Sequence, residues 1–242
     1  ATIVGTAWSY TATVADGTTY SFTTKETDTA GNTSNASSAF AVTGDTTAPT
    51  ASTIVATDNI GSVTGALTTG DTTDDTSLIL SGTNIAGSTV EVFNGVTSLG
   101  AATIVGTAWS YTATVADGTV YSFTTKETDT AGNTSDASSA FAVTGDTAAP
   151  TINAIATSAF DWGSLLNATE DNADGTVTVT TSGVENGQLV TLTLNSATYT
   201  GAVSSNSASI IVTAAGLQAL TDGSAYTMTA DVSDSAGNAA TQ

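Results

Sequence analysis

Carboxylates are the chemically active side chains that this sequence has in number. It contains 22 aspartate and glutamate residues, two lysines and no histidine, so its formal net charge is −20. Cysteine is absent and both basic residues are lysines, so the sequence offers no imidazole base, no thiolate and no Ser–His–Asp triad. Carboxylates can together bind a cation. Oxygen ligands select a hard ion, and about six to eight oxygens in flexible geometry suit Ca²⁺ better than Mg²⁺.

The acids lie in groups within predicted turns. In the middle of the chain, one group precedes the apolar run at 76–83 and a second flanks the loop "TDTAGN" at 128–133. Asp146 follows in the stretch "TGDTAAPT". Aspartate and asparagine also favour turns because their side chains hydrogen-bond the nearby backbone. For any single acid, this structural role explains its position as well as a ligand role does.

The chain is a tandem repeat. The ten residues "KETDTAGNTS" occur at 25–34 and again at 126–135, an offset of 101 residues. The stretches 2–50 and 103–151 differ only in three pairs, which are Thr19/Val120, Asn35/Asp136 and Thr47/Ala148. A repeat of about 100 residues is a whole domain, since solenoid repeats are roughly 20–50 residues long. The predicted domains are the C-terminal half of a unit at 1–48, a complete unit at 49–149 and a divergent unit at 150–242.

The hydrophobic pattern predicts an all-β chain of tandem immunoglobulin-like antiparallel β-sandwich domains. Runs rich in β-branched and aromatic residues alternate with turns rich in Gly, Asn and Asp. The predicted strands of the middle unit are 76–83, 88–95, 108–115, 120–127 and 138–145. Short strands separated by turns every 8–12 residues or so are typical of a sandwich. Only "TAAGLQALTDG" in the third unit has a helical pattern, so no helix longer than two turns is expected.

A tyrosine follows an aspartate by four residues once in each unit. The pairs are Asp16–Tyr20, Asp117–Tyr121 and Asp222–Tyr226. A tyrosine at the start of the penultimate strand, whose hydroxyl bonds back to the preceding corner, is the tyrosine corner of immunoglobulin-like sandwiches. These residues are therefore predicted to be structural. The pattern makes 120–127 strand F, 138–145 strand G, and "TDTAGNTS" the loop between them.

This topology brings acids of successive units together. In such a sandwich the A–B loop and the end of strand G share one pole, and the F–G loop lies at the other. In a head-to-tail string, the A–B loop and exit aspartate of one unit therefore meet the F–G loop of the next. A cluster of acids repels itself unless a cation fills it. The predicted Ca²⁺ ligands are Asp28, Asn32, Asp45, Asp58, Asp71, Asp74, Asp75, Glu127, Asp129, Asn133, Asp146, Asp231, Asp234 and Asn238.

Two joints are predicted in this way. At the second joint, the acids of the second unit (Asp58, Asp71, Asp74, Asp75 and Asp146) face Asp231, Asp234 and Asn238 of the third. At the first joint, Asp45 faces Glu127, Asp129 and Asn133. The lysine ahead of each loop is predicted to be a local counter-charge or a guard of an edge strand. Because Asp231 occupies the equivalent position in the third unit, the lysine is not catalytic.

Composition excludes several classes of partner. Nucleic acids and anionic lipid surfaces need cationic side chains, so neither is an expected partner. No apolar run approaches the roughly 18 residues of a membrane helix. Threonine-rich strands such as "TVTVTTSG" could bind carbohydrate or ice, although the solvated face of a sheet explains them better. The expected partners are neighbouring repeats. Residues 1–50 carry too few strands to cover their own apolar face, so they are expected either to be completed by another chain or to belong to a unit whose start lies outside this sequence.

Several stretches resemble the bacterial immunoglobulin-like extender repeats of giant adhesins. They are "SGTNIAGSTVEVFNG", "ADGTVYSFTTKETDTAGNTS" and "GDTTAPT", while "SGVENGQLVTLTLNSATYTG" and "SDSAGN" resemble a sister family. These adhesins are RTX-type, type I-secreted proteins that mediate biofilm formation and surface attachment. The resemblance implies a non-enzymatic extracellular stalk at the bacterial cell surface, stiffened by calcium, that projects a ligand-binding module. A subunit of a calcium-dependent surface layer or extracellular filament is the alternative, because it would use the same fold.

Overall fold

The structure, a computed structural model, describes residues 1–156 and 165–241. It is built of short strands, and in the described ranges the helices are one 3₁₀ turn at Glu170–Asn172 and α1 at Ala214–Gln218. The helix lies where the sequence predicts a helical turn, and the Thr213 side chain caps it by accepting a hydrogen bond from the Gly216 amide. None of the described helices has the length and apolar character to cross a membrane.

The first unit, residues 1–48, consists of two separate hairpins. Strand β1 (Thr2–Val4) pairs with β2 (Ala7–Ser9), and β3 (Thr19–Phe22) pairs with β4 (Phe40–Thr43). Both pairings are antiparallel.

The second unit, residues 49–149, has two five-stranded sheets. One sheet has the strand order β10 (Thr97–Ala101), β9 (Thr89–Asn94), β13 (Val120–Thr128), β14 (Phe141–Gly145) and β7 (Asp71–Thr73). The other has the order β11 (Thr103–Val105), β12 (Ala108–Thr114), β8 (Ser77–Thr83), β5 (Val55–Asp58) and β6 (Gly65–Leu67). All pairings are antiparallel except that of β14 with β7, which is parallel. The five strands predicted from sequence correspond to β8, β9, β12, β13 and β14.

Alternation along these strands builds the core of the second unit. On β8, Leu78 and Leu80 are fully buried while Ile79 between them is exposed. Trp109 on β12 and Phe123 on β13 complete the core from the two sheets. A period of two therefore separates the core face from the solvent face, as the sequence pattern predicts.

The third unit, residues 150–242, has its own hydrophobic core. Its described strands are β15 (Thr151–Ala156), β16 (Gly175–Ser182), β17 (Leu189–Leu194), β18 (Ala197–Ser204), β19 (Ser207–Val212) and β20 (Thr229–Asp231). Their order is β15-β16-β19-β18-β17-β20, and the end of β18 crosses from β17 to β19. Leu192, Ile210 and Val179 lie at the centre of the core, fully buried.

The predicted tyrosine corners are confirmed in all three units. Each tyrosine hydroxyl accepts a hydrogen bond from a backbone amide five residues earlier. The pairs are Tyr20 with Ala15 at 3.0 Å, Tyr121 with Ala116 at 3.0 Å, and Tyr226 with Thr221 at 2.8 Å. These contacts tie each penultimate strand to the corner before it.

The structure corrects one proposed role of Lys126. Strand β13 lies between β9 and β14, so this lysine cannot guard an edge. It lies opposite Glu91 in the strand register, and its Nζ is 5.8 Å from the centre of the Phe93 ring. These contacts are those of a local counter-charge with a cation–π interaction.

Candidate metal centre at the joint of two units

In each unit the aspartate of the F–G loop accepts hydrogen bonds from the amides two and four residues later. In the third unit, Asp234 Oδ1 accepts from the amides of Ala236, Gly237 and Asn238, at 3.1, 2.9 and 2.9 Å. Its Oδ2 accepts from the Asn238 side-chain amide at 2.9 Å. The same Asp–Asn bond is 2.8 Å long in the other two loops, Asp28–Asn32 and Asp129–Asn133. The aspartate therefore fixes the loop and orients the asparagine side chain.

The oriented asparagine contacts the preceding unit. At the second joint, Asn238 Nδ2 donates to the backbone carbonyl of Asp146 at 2.8 Å. At the first joint, Asn133 Nδ2 donates to the backbone carbonyl of Asp45 at 3.2 Å and lies 3.3 Å from its Oδ1. The predicted meeting of the exit aspartate with the next F–G loop is thus observed at both joints.

The A–B loop of the second unit reaches the same F–G loop of the third. Ser62 donates from its amide and from its hydroxyl to the Gly237 carbonyl, at 3.1 and 3.2 Å. Gly61, at φ +69°, makes this approach possible, because a Cβ there would lie 2.0 Å from Asp74 Oδ2 and 2.8 Å from the Gly237 oxygen. A glycine at 61 therefore lets the Asp74 carboxylate and the next unit's backbone come together.

Three acids of the second unit are buried beside this contact. Asp58, Asp74 and Asp75 are 3%, 6% and 3% exposed. Asp58 accepts from the Ile60 amide at 3.0 Å and from the Thr73 hydroxyl at 2.6 Å. In the described part of the chain, Asp74 Oδ1 and Asp75 Oδ2 are buried oxygens with no hydrogen-bond partner. Such atoms are rare in folded proteins, and each calls for a ligand or another explanation.

The acids at the joint affect one another's ionisation. Burial raises the pKa of Asp74, and the charges of Asp58, Asp234 and Asp75 raise it further. Burial also raises the pKa of Asp146, with Asp234 as the strongest contributor among its charged neighbours. The negative charge of Asp234, in the third unit, therefore disfavours ionisation of Asp74 in the second unit and of Asp146 at the end of that unit.

Other predicted ligands lie away from this contact. Asp71 Oδ2 accepts from the amide and hydroxyl of Thr68, at 2.7 and 3.0 Å, and so closes its own turn. Asp231 is exposed on β20, between the buried residues Ala230 and Val232. The loop of Asp28 and Asn32 is exposed, and the Asp28 carboxylate accepts its hydrogen bonds from Ala30 and Asn32 within that loop.

Glu127 does not face Asp45 as the sequence interpretation placed it. It is only 1% exposed, and its Oε1 accepts from the Ile85 amide at 2.6 Å and from the Ser88 hydroxyl. Its Oε2 accepts from the Ser52 hydroxyl at 2.6 Å. The physical reason is strand alternation, since Phe123, Thr125 and Glu127 all point inward from β13.

Sequence reasoning missed the backbone part of the joint. Ser62 and the Gly237 carbonyl were not predicted as contacts, although the stretch "NIGSV" marks a glycine turn next to Ser62. The inward direction of Glu127 had a signal as well. The equivalent position in the third unit is Val232, and a valine there indicates a core-facing site.

The joint has the donor chemistry of a hard-cation site. Its lining is oxygen, from carboxylates and the Gly237 carbonyl, and two of the carboxylate oxygens are buried without a partner. Across residues 1–156 and 165–241, however, no group of three or more acids is arranged as a formed metal site. The residues therefore fit a hard cation in type, and they would have to move closer together to hold one.

Part of the chain is similar in sequence to a chitinase. Chitinase A1 of Niallia circulans is 41% identical over 143 residues, which are 57% of this chain and 18% of that protein. The chain thus spans less than a fifth of its length.

Two solved adhesin structures can be aligned with most of the chain. One is from a 1.5-MDa bacterial ice-binding adhesin, with 22% identity, 89% of this chain and 68% of that chain covered, and a TM-score of 0.35. The other is from a Ca²⁺-stabilized adhesin that helps an Antarctic bacterium reach out and bind ice. It has 25% identity, 92% and 54% coverage, and a TM-score of 0.36. Residues 50–147 match the family of bacterial Ig-like domains. This match agrees with the two-sheet fold observed for the second unit.

Proposed function

We propose that this chain is a stalk segment of a large bacterial surface adhesin. Its units would extend a terminal ligand-binding module from the cell for attachment and biofilm formation, in an extracellular location. The chain itself has no catalytic role in this proposal. The direct contact between successive units supports the stalk role. Asn238 of the third unit donates to the Asp146 carbonyl, and Ser62 of the second unit donates to the Gly237 carbonyl. A repeated direct contact of this kind fixes the direction in which one unit follows another.

In this proposal, residues 49–149 and 150–242 are separately folded units. Each has its own buried cluster, with Trp109 and Phe123 in one and Leu192 and Ile210 in the other. The described contacts between the units lie at the poles, in the loops that carry Gly61, Ser62 and Gly237 and at the exit residue Asp146. A string of such units is long because each adds its full length, with little overlap.

We further propose that calcium stiffens the second joint. Asp58, Asp74, Asp75, Asp146 and Asp234 would hold the ion together with the Gly237 carbonyl. A bound calcium ion neutralises the acids that raise the pKa of Asp74 and Asp146. The buried, unpartnered oxygens of Asp74 and Asp75 support this assignment. Because the ligands come from two units, binding would resist bending between them.

Calcium titration of the full chain tests the proposal. We expect calcium to raise the melting temperature. At a hundredfold excess over Kd, it should add about 2.7 kcal/mol to the free energy of unfolding. We also expect a larger maximum dimension by small-angle scattering in millimolar calcium than in chelator, with an unchanged far-ultraviolet spectrum. Equal dimensions and equal melting temperatures in the two conditions would contradict the proposal.

Two variants locate the effect. Asp74→Asn removes one charge and keeps the shape of the buried side chain, so it should remove most of the calcium response. Asp71→Asn is the matched control, because the Asp71 carboxylate accepts its hydrogen bonds from Thr68 in its own turn. This control should respond to calcium as the wild type does. A full response in Asp74→Asn would place calcium elsewhere.

A second candidate function is a spacer beside a catalytic domain in an extracellular carbohydrate-degrading enzyme. The 41% identity with part of Chitinase A1 favours it. The two candidates share the fold and differ in what the stalk presents. Sequencing the complete reading frame separates them, because an adhesin stalk predicts many further repeats and a spacer predicts a catalytic domain within a few units.

A further inference from the structure

Thr73 lies among the acids of the second joint. It is the last residue of β7 and is fully buried, and it is followed directly by Asp74 and Asp75, which belong to the proposed calcium site. A threonine has a hydroxyl and a backbone carbonyl with which to form hydrogen bonds. Both groups of Thr73 are bonded to acids of the joint. Because Thr73 carries no charge, a search of the sequence for acidic ligands does not select it.

The direction of the Thr73 hydroxyl follows from its two partners. The Asp75 amide can only donate, so its 3.2 Å bond to Thr73 Oγ1 makes the hydroxyl an acceptor there. The single hydroxyl proton is therefore donated to Asp58 Oδ2, at 2.6 Å. One hydroxyl thus holds the side chain of one acid and the backbone of another.

The bond from Thr73 fixes the orientation of the Asp58 carboxylate. The other carboxylate oxygen, Oδ1, accepts from the Ile60 amide at 3.0 Å. With a donor on each oxygen, the carboxylate cannot rotate without breaking one of the two bonds. Asp58 ends β5, and β5 and β7 belong to different sheets of the second unit. The bond therefore also joins the two sheets at this pole.

The bond to the Asp75 amide fixes the turn that follows β7. Asp75 Oδ1 accepts from the Ser77 amide at 2.9 Å, so both the backbone and the side chain of Asp75 are held. Among the described residues, its Oδ2 is buried without a hydrogen-bond partner. Thr73 thus helps to set where this unpartnered oxygen lies.

The backbone of Thr73 holds the acid at the exit of the unit. Its carbonyl accepts from the Asp146 amide at 2.9 Å, just beyond the parallel pairing of β7 with β14. The Asp146 carbonyl in turn accepts from the side chain of Asn238 in the third unit. Thr73 is therefore connected to the next unit through a single intervening residue.

We propose that Thr73 is a positioning residue of the joint, which holds Asp58 and Asp75 by its hydroxyl and Asp146 by its carbonyl. The inference rests on the proposed calcium site, and it adds a residue that controls calcium affinity without being a ligand. The bonds of Thr73 already order the Asp58 side chain and the turn at Asp75. Less conformational freedom is then lost when an ion draws the acids together.

A purely structural role for Thr73 leads to a different expectation. Loss of the hydroxyl would then lower the free energy of unfolding of the second unit and leave the affinity for calcium unchanged. A positioning role requires the affinity itself to fall. Denaturation in chelator measures the first quantity, and calorimetric titration of the full chain with calcium measures the second.

Three variants of β7 provide the comparison. Thr73→Val removes the hydroxyl and keeps the shape of the side chain, and it should raise the Kd for calcium at least roughly tenfold, as does loss of other groups that orient metal ligands. Thr73→Ser keeps the hydroxyl and should restore most of the affinity. Thr72→Val is the matched control, because this half-buried side chain points to the other face of β7, and its Kd should equal that of the wild type. Equal Kd values for Thr73→Val and the wild type would overturn the proposal.

Amide hydrogen exchange in chelator tests the positioning without calcium. The Ile60 amide is bonded to Asp58 and not to Thr73, so it reports whether Asp58 is held. Thr73→Val should speed exchange at Ile60 roughly tenfold, because a freed carboxylate no longer protects this amide. Thr73→Ser and Thr72→Val should exchange like the wild type there. Unchanged exchange at Ile60 in Thr73→Val would show that Thr73 does not hold Asp58, and the inference would be wrong.

The two measurements separate this inference from the calcium proposal. If the wild type binds no calcium, the calcium proposal fails, and exchange at Ile60 still decides whether Thr73 positions Asp58. If the wild type and Thr73→Val bind calcium equally well, the calcium site stands and the positioning role is refuted. Thr73→Ala serves where Thr73→Val does not fold, since it removes the hydroxyl without placing a methyl group against the Asp58 carboxylate. The same rise in Kd and the same faster exchange at Ile60 are expected for it.

Discussion

Residues 2–50 and 103–151 have almost the same sequence in two different surroundings. Their local contacts are alike, since the Asn32–Asp28 and Asn133–Asp129 side-chain bonds are both 2.8 Å long. Their cores are not alike, because Trp8 is half exposed and Trp109 is buried. Turns and loops in this chain therefore form from local sequence, whereas burial depends on a segment supplied from elsewhere.

Tryptophan removal gives the largest expected contrast between the two regions. Trp109→Ala should destabilise the second unit by about 3–5 kcal/mol, because it leaves a cavity in the core. Trp8→Ala should leave the unfolding free energy of that unit unchanged, since Trp8 lies 53% exposed on the first unit. Chemical denaturation followed by the NMR signals of the amides in β8 and β13 measures the unfolding of the second unit in both variants. Similar losses in the two variants would mean that the first unit has a formed core in solution.

The buried glutamate gives the next contrast. Glu127→Gln should cost the second unit roughly 1.5–3 kcal/mol, because the Ser52 and Ser88 hydroxyls and the Ile85 amide all donate to this carboxylate. Glu26 is the equivalent residue and is exposed. Glu26→Gln should therefore have no measurable effect on thermal unfolding. An equal effect of the two changes would refute the anchoring role of Glu127.

The smallest expected effect concerns the ionisation of Asp16. Hydrogen bonds hold the pKa of Asp16 below its ordinary value of 3.8. The bond from the Thr46 amide has the largest effect, and the bond from the Thr47 hydroxyl comes next. The resulting stabilisation is present above that ordinary value and is lost as the pH falls through the lowered pKa. Thr47→Ala introduces the residue found at the equivalent position 148 and should move the pKa of Asp16 back toward 3.8. A carboxyl NMR titration of the two proteins measures the change, and an unchanged midpoint would contradict the role of Thr47.

Much of the fold could be predicted from sequence because strand alternation and turn residues are local signals. The five strands of the second unit and the three tyrosine corners follow from such signals. The meeting of Asp146 with the loop at Asn238 was also predictable, because it depends only on which ends of a sandwich carry which loops.

The details of the joint were not predictable in the same way. Glu127 was assigned to the joint from its place beside a loop, but the direction of its side chain is set by its register in β13. Asp71 was grouped with Asp74 and Asp75 by sequence proximity, although it closes a turn with Thr68. The contact of Ser62 with the Gly237 carbonyl depends on backbone shape, which residue types alone do not specify.

The parallel pairing of β7 with β14 has a mechanical consequence. Val143, Thr144 and Gly145 pair in register with Asp71, Thr72 and Thr73, so a strand near the start of the unit lies beside the strand that leaves it. When the chain is pulled from its two ends, these strands are drawn in opposite directions along their length. The bonds between them are then sheared together, and they resist force as a group instead of opening one at a time like a zipper. Tension on the chain is thus carried across the hydrogen bonds next to Asp146, at the same pole as the joint.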